Sequence, residues 1–322
     1  MTISVLITGG TGYVGGRIVR HLAKRDDIRM RIGVRRPENL LSSCLDATDT
    51  IPLDLKSPES LTYACANVDC IIHLAALNEI DSASDPEQAL IVNGLGTLRL
   101  LQAAEQAGVS RFIYFSTAHV YGAPLRGIIT ELSVPRPAHP YAITHHIAED
   151  FVLAAHDCKA LTGIVVRLSN SFGAPADATV NSWMLLVNDL CRQAVTARVL
   201  RLKSSGMQRR NFIPLEDVAR AVGHFLFLEP SACEDGLFNL GGESTPKIVE
   251  IAEKIATRCK IVLGYTPEIC RPTPSSNEVC DDFSFRIEKL KATGFCLSGD
   301  IDAEVDATLL LCRHAFGTNE QG

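Results

Sequence analysis

The sequence has no apolar run long enough to cross a bilayer; runs such as Phe225-Leu226-Phe227-Leu228 stop far short of that. Its start, Met1-Thr2-Ile3-Ser4-Val5-Leu6-Ile7-Thr8, lacks the basic segment and long apolar stretch of a signal peptide. It has no excess of basic residues: 31 Lys and Arg against 37 Asp and Glu give a net charge of −6, which argues against a nucleic-acid binder. No block of like charge suggests a tail. None of the 11 cysteines is spaced Cys-x-x-Cys, and an odd number cannot all pair. Free thiols in a reducing compartment follow, most of them small buried apolar residues. No Cys/His cluster has zinc-like spacing; His145 and His146 are adjacent, so on a helix they point in different directions. The expectation is a cytoplasmic chain with no metal, no membrane segment and no nucleic-acid partner.

What is present is an ordinary globular composition, with 322 residues, 46% hydrophobic and 21% charged, enough for a large core. Short apolar, β-branched runs (Val5–Thr8, Met30–Val34, Cys70–Leu74, Phe112–Ser116, Gly163–Leu168) alternate with helical stretches at Gly15–Arg25, Glu87–Ala107 and Thr144–His156. Such alternation predicts an α/β fold of Rossmann type, a doubly wound parallel sheet covered on both faces. Beyond residue 170 the pattern weakens, with helical stretches at Trp183–Ala194, Leu215–Phe227, Lys247–Cys259, Arg286–Lys291 and Ala303–Phe316. Phe238-Asn239-Leu240 reads as one more strand. The expected division is a dinucleotide-binding domain over 1–170 with a returning segment at 211–240. A smaller interleaved lobe takes 171–210 and 241–316, and 317–322 form a frayed tail.

The first strand–helix junction reads Thr8-Gly9-Gly10-Thr11-Gly12-Tyr13-Val14-Gly15. Glycines there serve a tight turn, close approach of a pyrophosphate to the backbone, and close helix–strand packing. The helix start offers free N–H groups and a favourable dipole to phosphates. The Gly-x-x-Gly-x-x-Gly spacing resembles the extended short-chain dehydrogenase/reductase family, the NAD-dependent epimerases, dehydratases and reductases of nucleotide sugars. The resemblance implies a nicotinamide cofactor held by Gly9, Gly12, Tyr13, Val14 and Gly15. An acidic residue at the end of the second strand favours NAD and a basic one NADP. Here Arg35-Arg36 stand there, with no carboxylate until Glu38. The pair favours NADP(H), with NAD(H) and a merely solvated basic loop as the alternatives. Asp54-Leu55 resembles the family's adenine-contacting pair, and Leu74-Ala75-Ala76 its third-strand exit along the cofactor.

Phe115-Ser116-Thr117-Ala118-His119-Val120-Tyr121-Gly122 resembles the family segment whose Ser or Thr bonds the substrate oxygen, which gives Thr117 that role. Tyr141-Ala142-Ile143-Thr144-His145 resembles the Tyr-x-x-x-Lys helix, with Tyr141 as the proton-exchanging tyrosine. The lysine position holds His145, whose i, i+4 spacing reaches the face of Tyr141. An unperturbed His is mostly neutral above pH 7, so it offers a ribose hydrogen bond with weaker electrostatic help. Three readings stay open: a working substitute, a slow or specialised site, and a catalytically dead NAD(P) sensor.

On the substrate side, Arg167-Leu168-Ser169-Asn170-Ser171-Phe172-Gly173 and Arg209-Arg210-Asn211-Phe212-Ile213-Pro214-Leu215-Glu216-Asp217 resemble nucleotide-sugar segments. They imply Asn170 on the sugar nucleotide and Arg210 on its diphosphate, with Arg271 as a second phosphate-side donor; Arg forks suit phosphate oxygens. Arg167 alone reads better as a structural ion pair, and Asp217 as a helix-start anchor. The dehydratase subgroup has Thr-Asp-Glu where this chain has Thr117-Ala118-His119. That leaves no evident acid/base pair for eliminating water and ranks 4,6-dehydration low. Ala118 and His119 still fall at the substrate face, His119 as an extra acid/base or as a loop histidine. The leading expectation is an NADPH-dependent 4-ketoreductase of a nucleotide sugar, and the alternative an epimerase with retained NAD. A homodimer through the Glu87–Ala107 and Thr144–His156 helices completes the expectation.

Overall fold

The computed structural model describes residues 2–35, 49–275 and 282–317; most of the tail expected to fray, 318–322, lies outside them. Seven strands, β1 (Ile3–Thr8), β2 (Ile28–Val34), β3 (Asp49–Pro52), β4 (Cys70–His73), β5 (Arg111–Thr117), β6 (Thr162–Leu168) and β7 (Leu237–Leu240), form one parallel sheet. Their order is β7-β6-β5-β4-β1-β2-β3. The helices that matter below are α1 (Tyr13–Leu22), α2 (Pro58–Cys65), α3 (Gly96–Gln106) and α4 (Pro140–Asp157). They continue with α5 (Leu186–Ala197), α6 (Leu215–Phe227), α7 (Ile248–Leu263) and α8 (Ile301–Phe316).

Alternation along each strand explains the three layers. Val5 and Ile7 of β1 point into one core with α1 and α6, while Leu6 points into the other with α2, α3 and α4. Both sets are fully buried, so the strands must be apolar throughout and read as continuous runs. This is the expected doubly wound sheet. The order reverses between β1 and β4, and the crevice outside their C-terminal ends is where such sheets take their ligands.

Two elements differ from the sequence expectation. The single helix expected over Glu87–Ala107 is broken into Pro86–Ala89, a π turn at Leu90–Leu95, and α3. Asp85 caps the first piece by accepting from the Gln88 N–H at 2.9 Å. The helix expected from Trp183 starts only at Leu186. Trp183 instead donates its indole N–H to the Ala178 carbonyl at 2.9 Å and packs edge-on to Phe316.

A third apolar cluster, built on α5, α7 and α8 with Phe172 and Trp183, packs beside the sheet layers. Arg17 of α1 ties the sheet layers to α8 of this cluster. Its guanidinium bonds Glu304 of α8 at 2.6 Å and the Ala174 carbonyl at 2.9 Å. Among the described residues no helix is long and apolar enough to cross a membrane.

Candidate active site

The turn after β1 is shaped to receive an anion. Gly9 has φ +72°, and a Cβ there would lie 2.8 Å from the Ala75 nitrogen. A Cβ on Gly15 would meet the Gly9 carbonyl oxygen at 2.1 Å. Gly12 begins α1 without a side-chain cap, and the first turn has no acidic residue to occupy its N–H groups. Tyr13 is tied elsewhere by its hydroxyl, which donates to the Gly173 carbonyl at 3.1 Å, so only its backbone faces the turn. Val14 packs against the sheet core.

The exit of β4 is fixed by a directed chain of hydrogen bonds. The Ala75 N–H donates to Thr8 Oγ1 at 3.2 Å, and Thr8 lies 2.6 Å from His73 Nδ1. His73 Nε2 lies 2.9 Å from Thr97 Oγ1, and Thr97 donates to the Asn93 carbonyl at 2.6 Å. Thr97 spends its proton on Asn93, so it accepts from His73 Nε2–H; Thr8 therefore donates to Nδ1. The π turn places Asn93 where its side chain accepts from the Leu77 N–H at 2.8 Å and donates to Thr144 at 3.0 Å. The loop carrying Leu74, Ala75 and Ala76 is thereby tied to α4.

Arg35 lies exposed at the end of β2; Arg36 lies outside the described residues. Asp54 and Leu55 sit in the loop beyond β3 rather than in a strand. Asp54 accepts from the Lys56 N–H at 2.9 Å, and Leu55 is buried beside Gly96.

Thr117 ends β5, buried, with its hydroxyl accepting from the His119 N–H at 3.2 Å. Ala118 is buried in the short turn that follows. Tyr141 is the second residue of α4, and its ring meets that of His145 edge-on, centroids 4.4 Å apart. Burial, and then the charge of Glu79, push the Tyr141 phenol up to about 12. Burial pulls His145 down to about 4, so its imidazole is neutral at pH 7. His145 Nδ1 lies 2.7 Å from the hydroxyl of Tyr114, while Nε2 is buried without a hydrogen-bond partner. Burial also lowers His119, whose nearby charges are Glu79, Arg210 and His139.

One turn beyond His145, Glu149 receives Arg167 through Nη2 at 2.6 Å and Nε at 3.1 Å, and the Ser116 hydroxyl also donates to it. Arg167 is thus a structural partner, as the sequence suggested. Asp217 accepts from the Ser298 and Gly299 N–H groups at 2.6 and 3.2 Å, an anchor likewise.

The substrate-side residues meet through a small parallel pair, Asn170–Phe172 with Phe212–Pro214. It sets Asn170 opposite Phe212, two residues from exposed Arg210. The Asn170 amide donates to the Asn211 carbonyl at 2.9 Å. Arg271 is exposed and leans on the Ser205 carbonyl at 2.5 Å. Sequence reasoning passed over Asn93, Tyr114, Glu149 and Glu79. A polar Asn93 and Thr97 inside a helical apolar pattern were the available signal for the first.

Sheet order, switch-point crevice and glycine turn define a nucleotide-binding fold of the short-chain dehydrogenase/reductase type. Within it, the chain belongs to the NAD dependent epimerase/dehydratase family, whose model matches residues 5–241, and it is an enzyme of that type. The dTDP-D-glucose 4,6-dehydratase of Mus musculus is 27% identical over 268 residues, 78% of this chain and 71% of that protein. The UDP-glucose 4-epimerase of Thermus thermophilus, solved with NAD, matches with a TM-score of 0.78 at 23% identity, covering 97% of this chain and 100% of that one. RMD from Pseudomonas aeruginosa, complexed with NADPH, matches with a TM-score of 0.76 at 24% identity, covering 97% and 99%.

Proposed function

We propose that the enzyme is an NADPH-dependent reductase of the 4-ketone of a nucleotide-activated sugar, with Tyr141 as proton donor. The observation that carries this reading is the setting of Tyr141: its half-buried ring packs edge-on against His145 at the family's lysine position, and desolvation keeps the phenol protonated and the imidazole neutral. A protonated phenol donates to a carbonyl being reduced, whereas oxidising an alcohol needs the phenolate. When bound, a reduced nicotinamide would supply the hydride for the carbonyl carbon. Tyr141 gives its phenolic proton to the carbonyl oxygen, Thr117 steadies that oxygen, and solvent returns the proton to Tyr141. The glycine turn, the bare start of α1 and the unpartnered His145 Nε2 all suit a dinucleotide. Arg210 and Arg271, from the lobe read over 171–210 and 241–316, would hold the sugar nucleotide together with Asn170 at the end of the dinucleotide-binding domain.

Arg35, with Arg36 beside it in sequence, is the proposed 2′-phosphate contact. NADPH is expected to bind more tightly than NADH, and Arg35→Asp to reverse the order by roughly tenfold or more, since one charge-assisted phosphate contact is lost. Titration of both nucleotides by fluorescence reads this, and equal parental affinities would remove the NADP assignment. The family supports a nucleotide-sugar epimerase equally. NAD retained through purification and interconversion of C4 epimers without net reduction would establish that reading instead.

A homodimer is proposed through the outer face of α4 and the π turn before α3. Ile143 and Phe151 on α4, with Leu90 and Leu95, are exposed large apolar residues, and Ile147 completes an i, i+4, i+8 stripe. Light scattering at micromolar concentration should give twice the chain mass. Ile143→Asp combined with Phe151→Asp should give one chain mass, and a monomeric parent would count against the assignment.

A further inference from the structure

Among the described residues, the Tyr114 hydroxyl has one hydrogen-bond partner, His145 Nδ1, at 2.7 Å, and both side chains are buried. A phenol carries one proton. If Nδ1–H donated to the phenol oxygen, the Tyr114 proton would be buried with no acceptor, and the imidazole would show a bare lone pair at Nε2. If Tyr114 donates instead, both atoms of the contact are satisfied and Nε2 carries the hydrogen. Nε2 is then a buried N–H donor without a partner, on a ring that packs edge-on with Tyr141.

We infer that Tyr114 is a positioning residue that locks His145 in its Nε2–H tautomer, so that the family's lysine position presents a neutral, oriented hydrogen-bond donor. The lock rests on the contact from Tyr114 to His145. Only the use of the donor, to hold a hydroxyl of the bound dinucleotide, rests on the proposed function. His145 differs here from His73, whose two nitrogens are both committed within the fold. The lock also opposes protonation at Nδ1, because an imidazolium would turn its Nδ1–H toward a phenol that is itself donating. Burial raises the Tyr114 phenol well above its ordinary range, which keeps it a donor.

The test is a two-bond proton–nitrogen correlation on the full chain labelled with 15N-histidine, which separates pyrrole-type from pyridine-type nitrogens. His145 is assigned by the signal that His145→Gln removes, and His73 serves as an internal Nε2–H reference. The expected result is pyridine-type Nδ1 and pyrrole-type Nε2 at His145. In Tyr114→Phe, which keeps the ring and loses one oxygen, the two nitrogens should move toward averaged shifts. NADPH affinity in that variant should fall about twofold, as the competent tautomer becomes one of two. A parental Nδ1–H tautomer, or a tautomer unchanged in Tyr114→Phe, overturns the inference. The parental spectrum reads the lock even if the variant does not fold, and it stands apart from whether a 4-keto sugar is turned over.

Discussion

Tyr141→Phe is expected to lower turnover of a 4-keto nucleotide sugar by about 10²–10⁴-fold, the usual worth of a positioned general acid. NADPH affinity should hold near the parental value, because the Phe ring keeps the edge-on packing against His145 at 4.4 Å between centroids. The pH dependence follows from the protonation state that each direction needs. Reduction uses the phenol, so its rate is flat across neutral pH and falls only as pH nears the Tyr141 value of about 12. Alcohol oxidation uses the phenolate, so its rate climbs over the same alkaline range. His145→Lys puts a cation beside the phenol, lowers its pKa, and moves the oxidative limb to lower pH with reduction kept or raised. Steady-state rates in both directions read these effects. A Tyr141→Phe enzyme with parental activity would end the assignment, and His119 would be the next proton source to test.

Arg167→Met is expected to destabilise the chain by about 3–5 kcal/mol, the range for stripping one partner from a buried ion pair. Glu149 would keep only Ser116 as a hydrogen-bond donor, inside a core where neither side of the pair is more than 4% exposed. Arg167 also lies over the Tyr121 ring at 4.6 Å, a contact that Met replaces only with apolar packing. The double variant Arg167→Met, Glu149→Leu should recover most of the loss, because the uncompensated carboxylate is gone. Urea unfolding monitored by circular dichroism measures both. A single variant within about 1 kcal/mol of the parent would mean the pair carries little of the stability of β6 against α4.

The sheet and the glycine turn were legible because their cause is local. A strand buried on both faces must be apolar throughout, and a dinucleotide turn needs glycine where a Cβ would strike the neighbouring backbone. The pairing of Tyr141 with His145 was legible for the same reason, one helical turn apart. The partners that set the chemistry were not. Tyr114 is one apolar-looking residue in the middle of β5, and only the packing of α4 across that strand brings its hydroxyl to His145. Glu149 and Arg167 lie 18 residues apart in different elements, so the sequence shows a candidate cation without its anion. The π turn at Leu90–Leu95 keeps the composition of a helix, and its extra width appears only once Asn93 must reach both Leu77 and Thr144. Trp183 fits a helical pattern by hydrophobicity, but its indole needs an acceptor and finds one outside the helix.

The contact between Arg17 and Glu304 spans 287 positions, and that separation sets a clock for biosynthesis. At roughly 5–20 residues per second, about 15–60 s pass between synthesis of the first helix and arrival of its carboxylate. Ala174 and Glu216 are made earlier in that interval, and Glu304 completes the set of partners around the guanidinium last. Helix α1 is thus fastened to the rest of the fold in stages, by partners 157, 199 and 287 positions along the chain.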